Sequence, residues 1–577
     1  MDSIVSYKKN EEIVIKIDDM GKDGEGIGHV DGYAFFVKGA LVGETVRASV
    51  MKTKKKYGFA HLLEVVESSP HRCAPLCSVA GPCGGCSLQH MDYLGQLIFK
   101  EKKVRDCLIR LGGVNEDEIE WLPIIGMNHS ELGAVSEPWH YRNKAQFPVR
   151  ADAAGKPAAG FFAGRSHRLI ATEKCGIQHP VIDEVVQTVL HFLRKQGISA
   201  YDEISHKGLV RHIYVRRGYY TGQIMVCLVV NGETLPKQDL FVDCMRRVKG
   251  MTSIFLNINC ERTNVILGRN MKLLWGEETI EDCIGEVRYR ISPQSFYQVN
   301  PVQTEKLYRT ALAFADLQGD ETVWDLYCGI GTISLFLASQ LAANGMGRVI
   351  GVEIVPEAID NARENARQNG LSNVQFYCGA AENVVDNLVS NGTSQADVVV
   401  VDPPRKGCDA KLLDTIVEMS PKKVVYVSCD PATLARDVKI LAEKGYGVKK
   451  VRACDMFPQG GHVETVVLLS HKKPDSVINV KVEFGEGEGK IPLDNIEKRA
   501  ESYKPKERVT YKMIKEYIEE KYGFKVHTAY IAEVKRDLGL PMYDAPNAVE
   551  ELKQPRKHPT AEKVEAIKDA LRYYGVI

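Results

Sequence analysis

Short apolar segments alternate with helical patterns between about residues 292 and 470, and this alternation limits the possible folds more than any other feature of the chain. Six segments are nearly continuous in apolar residues: ETVWDLYC, GRVIGVEI, NVQFYCGAA, ADVVVVDPP, KKVVYVSCD and VETVVLLS. Strands of this kind are buried on both faces, as in a parallel sheet covered by helices. The pattern predicts an α/β, doubly wound, Rossmann-like sheet over residues 291–471.

A chain of 577 residues is too long for that sheet alone, so several domains are expected. Residues 1–66 contain five short β-like runs separated by glycines, a pattern typical of a small closed barrel of the oligonucleotide-binding type. The rest is predicted to form an α+β middle domain over 67–290, a polar linker over 472–508 and a small helical accessory module over 509–577.

Composition excludes several classes of protein. No run approaches the roughly 18 apolar residues of a transmembrane helix, and the first residues carry charges where a signal peptide needs an apolar stretch. A cytoplasmic location without a membrane partner is therefore expected, and the 15 cysteines should be reduced thiols there. The 75 basic and 75 acidic residues cancel, which excludes a uniformly cationic nucleic-acid binder but leaves local basic patches open.

A glycine-rich turn follows the first apolar segment of the predicted sheet. Asp325, Gly329 and Gly331 lie in DLYCGIGT, between a strand and a helix, and Glu353 ends the next strand. Glycines let the backbone approach a ligand, and an acid at that distance pairs with ribose hydroxyls. The third glycine of a dinucleotide site and the lysine of a phosphate loop are both missing. The turn therefore favours a ligand without phosphates, such as S-adenosylmethionine, over a tight turn that binds nothing.

Three segments with reactive side chains are expected at one edge of the sheet. They are DPPRK from Asp402, SCDP around Cys429, and FPQGGHVE ending at Glu464. Carbon 5 of a pyrimidine becomes nucleophilic when a thiolate attacks carbon 6, and a base must then remove the carbon 5 proton. A cysteine and a carboxylate at neighbouring strand ends supply both roles. Taken singly, Cys429 is better explained as a small buried apolar residue and Glu464 as an exposed strand acid, and Cys328 is a rival nucleophile.

Four cysteines have the spacing of a metal centre. Cys77, Cys83 and Cys86 lie together in CSVAGPCGGC, and Cys175 follows much later. Four thiolates suit either structural zinc or an iron–sulfur cluster, and spacing alone does not choose between them. Cys73 is a fifth nearby thiol that could take the place of Cys77.

Five motifs, in the same order, resemble those of the iron–sulfur RNA uridine-5 methyltransferase family, in its 23S ribosomal RNA branch. They are SFYQVNP (295–301), DLYCGIGT (325–332), VDPPRKG (401–407), VSCDPATLARD (427–437) and FPQGGHVETV (457–466). The resemblance covers residues 1 to about 470 and leaves out the C-terminal 105 residues (473–577).

The resemblance implies a reaction and the residues that carry it. Cys429 would be the nucleophile and Glu464 the general base in the methylation of uridine carbon 5. The cofactor-binding set would be Gln298, Asp325, Tyr327, Gly329, Gly331, Glu353 and Asp402. Cys77, Cys83, Cys86 and Cys175 would hold a structural [4Fe-4S] cluster, and the first five strands would form a TRAM barrel that binds RNA.

Several alternatives accompany this interpretation. The resemblance implies 23S ribosomal RNA rather than tRNA because a TRAM barrel and a cysteine cluster accompany the ribosomal branch. A tRNA uridine-5 methyltransferase, or a catalytically silent iron–sulfur RNA-binding protein, would be the alternative. Cytosine-5 enzymes usually place proline before the cysteine, whereas Ser428 precedes Cys429 here. The expected partner is RNA, and the expected state is a monomer.

Overall fold

The computed structural model describes residues 7–390, 396–471, 511–538, 558–574 and 576. Contacts divide the chain into two compact units, Met1–Ser476 and Val477–Ile577. The linker predicted over 472–508 lies outside the described residues. Among the helices of the described ranges, none is both long enough and apolar enough to cross a bilayer.

The first unit begins with a closed five-stranded barrel, as predicted. Its strands, in spatial order β1-β2-β3-β5-β4, are β1 (Glu12–Met20), β2 (Gly26–Val30), β3 (Tyr33–Lys38), β4 (Thr45–Thr53) and β5 (Tyr57–Glu67). Alternation in β1 turns Ile13, Ile15 and Ile17 into the barrel core. A glycine is required at Gly28, where a Cβ would lie 2.2 Å from the Lys16 carbonyl oxygen.

A cysteine-rich segment, residues 68–92, leads from the barrel to helix α1 (Tyr93–Arg110). Asp92 caps the helix by accepting a hydrogen bond from the Gly95 N–H. Strand β6 (Glu120–Ile125) follows and pairs in parallel with a strand from the far end of the unit. This part of the predicted middle-domain range therefore contributes to the large sheet described below.

A seven-stranded sheet forms the middle of the unit, in the order β13-β12-β11-β10-β7-β8-β9. Its strands are β7 (Lys144–Ala151), β8 (Pro157–Phe162), β9 (Leu169–Ala171), β10 (Val210–Arg217), β11 (Ile224–Val230), β12 (Met251–Ile258) and β13 (Asn270–Gly276). Helices α2 (Pro180–Lys195) and α3 (Gln238–Met245) lie in the same segment, and α2 buries a wide apolar face in its core. A hairpin, β14 (Ile280–Ile284) and β15 (Val287–Ile291), follows.

An eight-stranded sheet has the alternating order of strand and helix that the apolar segments predicted. Its helices are α4 (Pro301–Ala315), α5 (Thr332–Asn344), α6 (Pro356–Gln368), α7 (Ala381–Ser390), α8 (Ala410–Met419) and α9 (Pro431–Glu443). Its further strands are β16 (Thr322–Leu326), β17 (Arg348–Glu353), β18 (Val374–Cys378), β19 (Val398–Val401), β20 (Lys423–Ser428), β21 (Tyr446–Cys454) and β22 (Glu464–His471). The order is β18-β17-β16-β19-β20-β22-β21-β6, which confirms the Rossmann-like sheet.

Two features of this sheet position the site. The strand order reverses between β16 and β19, and ligands of open α/β sheets bind at the carboxyl ends of strands beside such a reversal. Strand β22 runs antiparallel to β20, so its first residue lies at the edge where β20 ends. The second unit has its own small core, formed by α10 (Tyr511–Tyr522), α11 (Thr528–Asp537) and α12 (Ala561–Tyr573).

Candidate active site

Cys429 and Glu464 meet at the edge of the eight-stranded sheet. The last residue pair between β20 and β22 is Ser428 with Thr465, so Cys429 and Glu464 lie one residue beyond it on adjacent strands. Asp402 follows β19, the other neighbour of β20. The topology therefore gathers at one place three residues that are dispersed over more than sixty positions of the chain.

Electrostatics link these three groups. The pKa of the Glu464 carboxyl is raised to about 8, first by burial and then by the charge of Asp402, while the charge of Arg405 lowers it. Burial also raises the pKa of Asp402 to about 7. The half-buried Cys429 thiol has its pKa raised to about 12 by burial and then by Glu464 and Asp402, while Arg405 lowers it. The Glu464 carboxyl, which can take up or hold a proton near neutral pH, thus lies beside the Cys429 thiol, which ionises only when a positive charge such as that of Arg405 lowers its pKa.

The glycine-rich turn is held by the neighbouring strand. The N–H groups of Tyr327 and Cys328 both donate to the Val352 carbonyl at 3.0 Å, with Tyr327 in the left-handed region at φ 71°. The Gly329 N–H donates to Oε2 of Glu353 at 3.1 Å. Cys328 is buried under this turn, where burial raises the pKa of its thiol well above the ordinary value, so it is poorly suited to act as a nucleophile.

The turn leaves room and an acceptor for a ligand. Apart from its chain neighbours, no described residue has an atom within 4 Å of the place where a Cβ would stand on Gly329, whereas at Gly331 (φ 81°) a Cβ would meet Phe376 at 2.9 Å. Asp325 is fully buried, and its Oδ2 accepts from the Ser334 hydroxyl, while Oδ1 has no hydrogen-bond partner among the described residues. An orphaned buried carboxylate oxygen is costly unless a bound group satisfies it. These residues fit S-adenosylmethionine, whose ammonium group can supply that donor.

Gln298 lies in the segment before α4. Its carbonyl accepts from Asn143 at 3.0 Å, and Asn300, two residues on, caps α4 and donates to the Met456 carbonyl at 3.1 Å. SFYQVNP is therefore bonded to the segment that precedes Glu464.

Sequence reasoning missed Tyr308, which is buried on α4 and donates to the Thr332 hydroxyl at 2.9 Å. Burial raises its pKa first, and then the charges of Asp402, Asp325 and Glu464 raise it, which places Tyr308 among the site's acids. Only the spacing of α4, with Tyr308 seven residues after Pro301 on the buried face, could have indicated it.

The four cysteines of the predicted metal centre line one cavity. Cys77, Cys83, Cys86 and Cys175 surround a space of about 260 Å³, whereas Cys73 is exposed and is not among its lining residues. In the described part of the chain, no three His, Cys, Asp or Glu side chains are grouped closely enough to hold a metal ion. By this criterion the described residues show no metal-binding group, either for a single ion such as zinc or for the predicted iron–sulfur cluster.

A second cavity of about 970 Å³ opens beside the reactive edge. Its walls come from the barrel, the cysteine-rich segment, α1 and the strand ends, and they include Lys103, Arg405, Asp430 and His462. Cys429 and Glu464 are not among its lining residues, so this cavity adjoins the reactive pair without containing it.

Two family models match the sequence. The model described as tRNA (Uracil-5-)-methyltransferase matches residues 259–472, and the TRAM domain model matches residues 8–63. The first match covers the strands of the eight-stranded sheet from β16 onward together with the segment before them, and the second match covers the barrel.

Related proteins match most of the chain. A Halalkalibacterium halodurans protein named an uncharacterized RNA methyltransferase is 50% identical over 465 residues, which are 80% of this chain and 98% of its own length. A Clostridium acetobutylicum protein with the same description is 47% identical over 470 residues, or 81% and 99% of the two chains. The crystal structure of Pyrococcus abyssi tRNA (uracil-54, C5)-methyltransferase with S-adenosyl-L-homocysteine has a TM-score of 0.62 and 27% identity, covering 79% of this chain and 99% of that one.

Proposed function

We propose that this chain, which belongs to the RNA uracil-5-methyltransferase family, methylates carbon 5 of a uridine, and that its target is 23S ribosomal RNA, as the resemblance of its motifs implies. The observation that carries the chemistry is that Cys429, the residue after β20, and Glu464, the first residue of β22, lie side by side. A thiol and a proton-accepting carboxyl at one point supply both groups that this reaction requires.

S-adenosylmethionine supplies an electrophilic methyl group when it is bound. Gln298, Glu353 and Asp402 would hold it, with Tyr327, Gly329 and Gly331 shaping the turn against it. The unpartnered Oδ1 of Asp325 would accept a hydrogen bond from its ammonium group.

Cys429 begins the reaction by adding its sulfur to carbon 6 of the uracil ring. The positive charge of Arg405 lowers the thiol pKa and so favours the attacking thiolate. The bond places negative charge on the ring and makes carbon 5 nucleophilic. Once carbon 5 carries the methyl group, the Glu464 carboxylate takes its proton, the ring double bond re-forms, and the Cys429 sulfur leaves.

Cys77, Cys83, Cys86 and Cys175 would hold a [4Fe-4S] cluster with a structural role. The support is their shared cavity together with the family resemblance. Ser87 and Leu88, which directly follow Cys86, donate their N–H groups to the Gln459 carbonyl at 3.0 Å. A cluster in this cavity would therefore brace the segment that precedes Glu464, without exchanging electrons in the reaction.

A tRNA target is the second candidate, and one observation favours it. The Pyrococcus abyssi protein that this chain resembles over 99% of that protein's length is a tRNA enzyme. Similarity along nearly the whole enzyme means that the architecture alone does not select ribosomal RNA.

The test offers unmodified 23S ribosomal RNA and unmodified tRNA to the purified protein with labelled S-adenosylmethionine, and maps 5-methyluridine by mass spectrometry. We expect the label at uridine carbon 5 of 23S ribosomal RNA. Cys429→Ala should abolish it, and Glu464→Gln should trap a covalent protein–RNA adduct that already contains the methyl group.

Cys244→Ala, which removes a half-buried thiol from α3, is the matched control and should retain activity. Methylation of tRNA alone would select the second candidate. Methylation by Cys429→Ala, or label on cytosine, would refute the proposed chemistry. No transfer to either RNA would leave a silent RNA-binding protein as the better description.

A further inference from the structure

In the segment that precedes Glu464, residues 455–463, the carbonyl groups of residues 455–459 and of Gly461 accept hydrogen bonds from outside the segment. We call this segment the base loop. Gln303 donates to the Asp455 carbonyl at 3.0 Å, Asn300 to that of Met456 at 3.1 Å, and Tyr141 to that of Pro458 at 3.0 Å. A loop with so many fixed carbonyls cannot shift without breaking several buried hydrogen bonds.

Helix α1 contributes a stripe of three polar side chains to this loop. Gln96, Lys100 and Lys103 are spaced four and three residues apart, which places them on one face of the helix. Lys100 Nζ donates to the Phe457 carbonyl at 3.0 Å and pairs with the Asp455 carboxylate, and both charged side chains are fully buried. Lys103 Nζ donates to the Gly461 carbonyl at 2.9 Å.

Gln96 makes a reciprocal pair with Gln459 at the middle of the loop. The Gln459 N–H donates to Gln96 Oε1 at 2.8 Å, and Gln96 Nε2 donates to Gln459 Oε1 at 3.1 Å. Gln459 has a left-handed backbone (φ 69°) that non-glycine residues rarely adopt. The pair with Gln96 therefore fixes an unfavourable conformation five residues before Glu464.

We propose that Gln96, Lys100 and Lys103 are positioning residues, which set the place of Glu464 for removal of the carbon 5 proton. The inference rests on the proposed function, because it takes Glu464 as the base. Within the described residues, these three side chains make no hydrogen bond to the glycine-rich turn or to Cys429, so their loss should spare cofactor binding and methyl transfer. A misplacement of the order of 1 Å slows a positioned proton transfer by up to roughly a hundredfold.

The experiment separates the two chemical steps in one reaction. RNA is labelled with tritium at uridine carbon 5 and the methyl donor with carbon-14, so tritium release measures proton removal and carbon-14 in RNA measures methyl transfer. In the wild type the two signals should rise together. In Gln96→Met, carbon-14 should enter a protein–RNA adduct at the wild-type rate, while tritium release lags by roughly ten- to a hundredfold.

Two further variants keep the test decisive. Lys103→Met removes a half-buried side chain, so it should fold even if Gln96→Met does not, and it should show the same lag without a change in KM for RNA. Arg110→Met, an exposed basic residue of the same helix paired with Asp106, is the matched control and should show no lag. S-adenosylmethionine affinity should stay within about twofold of wild type in all three.

The outcomes assign any failure to one proposal. If Glu464→Gln shows the lag but Gln96→Met and Lys103→Met do not, the positioning role is wrong and the base assignment stands. If Glu464→Gln itself shows no lag, the proposed function fails and this inference fails with it. Two other results would also overturn the positioning role: a loss of carbon-14 transfer in the α1 variants, or a rise in KM for RNA alone. Either would show that these residues affect methyl transfer or RNA binding and not proton removal by Glu464.

Discussion

Raising the pH from about 7 to about 9 should accelerate proton removal from the methylated adduct. The base is the Glu464 carboxylate, and burial together with the charge of Asp402 raises the pKa of this group to about 8. The reactive form of a base is the deprotonated one, which exists above its pKa. The rate of this step should therefore rise with pH and level off above about pH 9.

The size of the effect follows from the ionised fraction. With a pKa of about 8, roughly a tenth of Glu464 is ionised at pH 7 and roughly nine tenths at pH 9, so the rate should rise about tenfold. The thiol of Cys429 behaves differently, because burial raises its pKa to about 12. Formation of the adduct should therefore continue to accelerate beyond the pH at which its resolution becomes constant.

The assay forms the methylated adduct at about pH 7 under single-turnover conditions, shifts the pH rapidly, and follows the decay of the protein–RNA adduct. Starting from the adduct removes thiol ionisation from the measurement. Arg405→Gln should move the midpoint of the profile upward, because Arg405 holds the pKa of Glu464 down. A flat profile, a rate that falls with rising pH, or a midpoint near the ordinary pKa of a glutamate would refute the assignment of a buried Glu464 as the base.

Two further predictions concern the bound groups. Glu353→Ala should weaken S-adenosylmethionine binding, measured by calorimetry, by roughly ten- to a hundredfold, because charged hydrogen bonds to the ligand are lost. Glu357→Ala, which changes an exposed residue, is the control, and equal affinities of the two variants would show that Glu353 is not part of the site. Anaerobically purified protein should contain iron and sulfide of a four-iron cluster, which Cys77→Ala should lose and Cys73→Ala should keep, because only Cys77 lines the shared cavity. Stoichiometric zinc, or dependence on Cys73, would reject the cluster assignment.

Part of the active site could be predicted from the pattern of apolar segments in the sequence. DLYCGIGT, the segment at Asp402 and the segment at Cys429 each follow a predicted strand, and parallel strands end at the same edge. Their convergence was therefore predictable without coordinates. The position of Glu464 directly beside Cys429 was harder to predict, because it depends on β22 running antiparallel to β20 and pairing with it. The catalytic and binding roles of these residues stay predictions for the experiments above.

The sequence by itself determined the barrel and the Rossmann-like sheet, since alternating and continuous apolar runs dictate which faces are buried. It also determined the order of the reactive motifs. Only the tertiary structure added β6 to the sheet edge, placed Cys77 rather than Cys73 on the shared cavity, and brought Gln96 and Lys100 to a loop more than 350 positions away. A side chain that donates to a distant carbonyl leaves no periodic trace in the sequence, and the pKa of Glu464 changes only when packing removes water from around it.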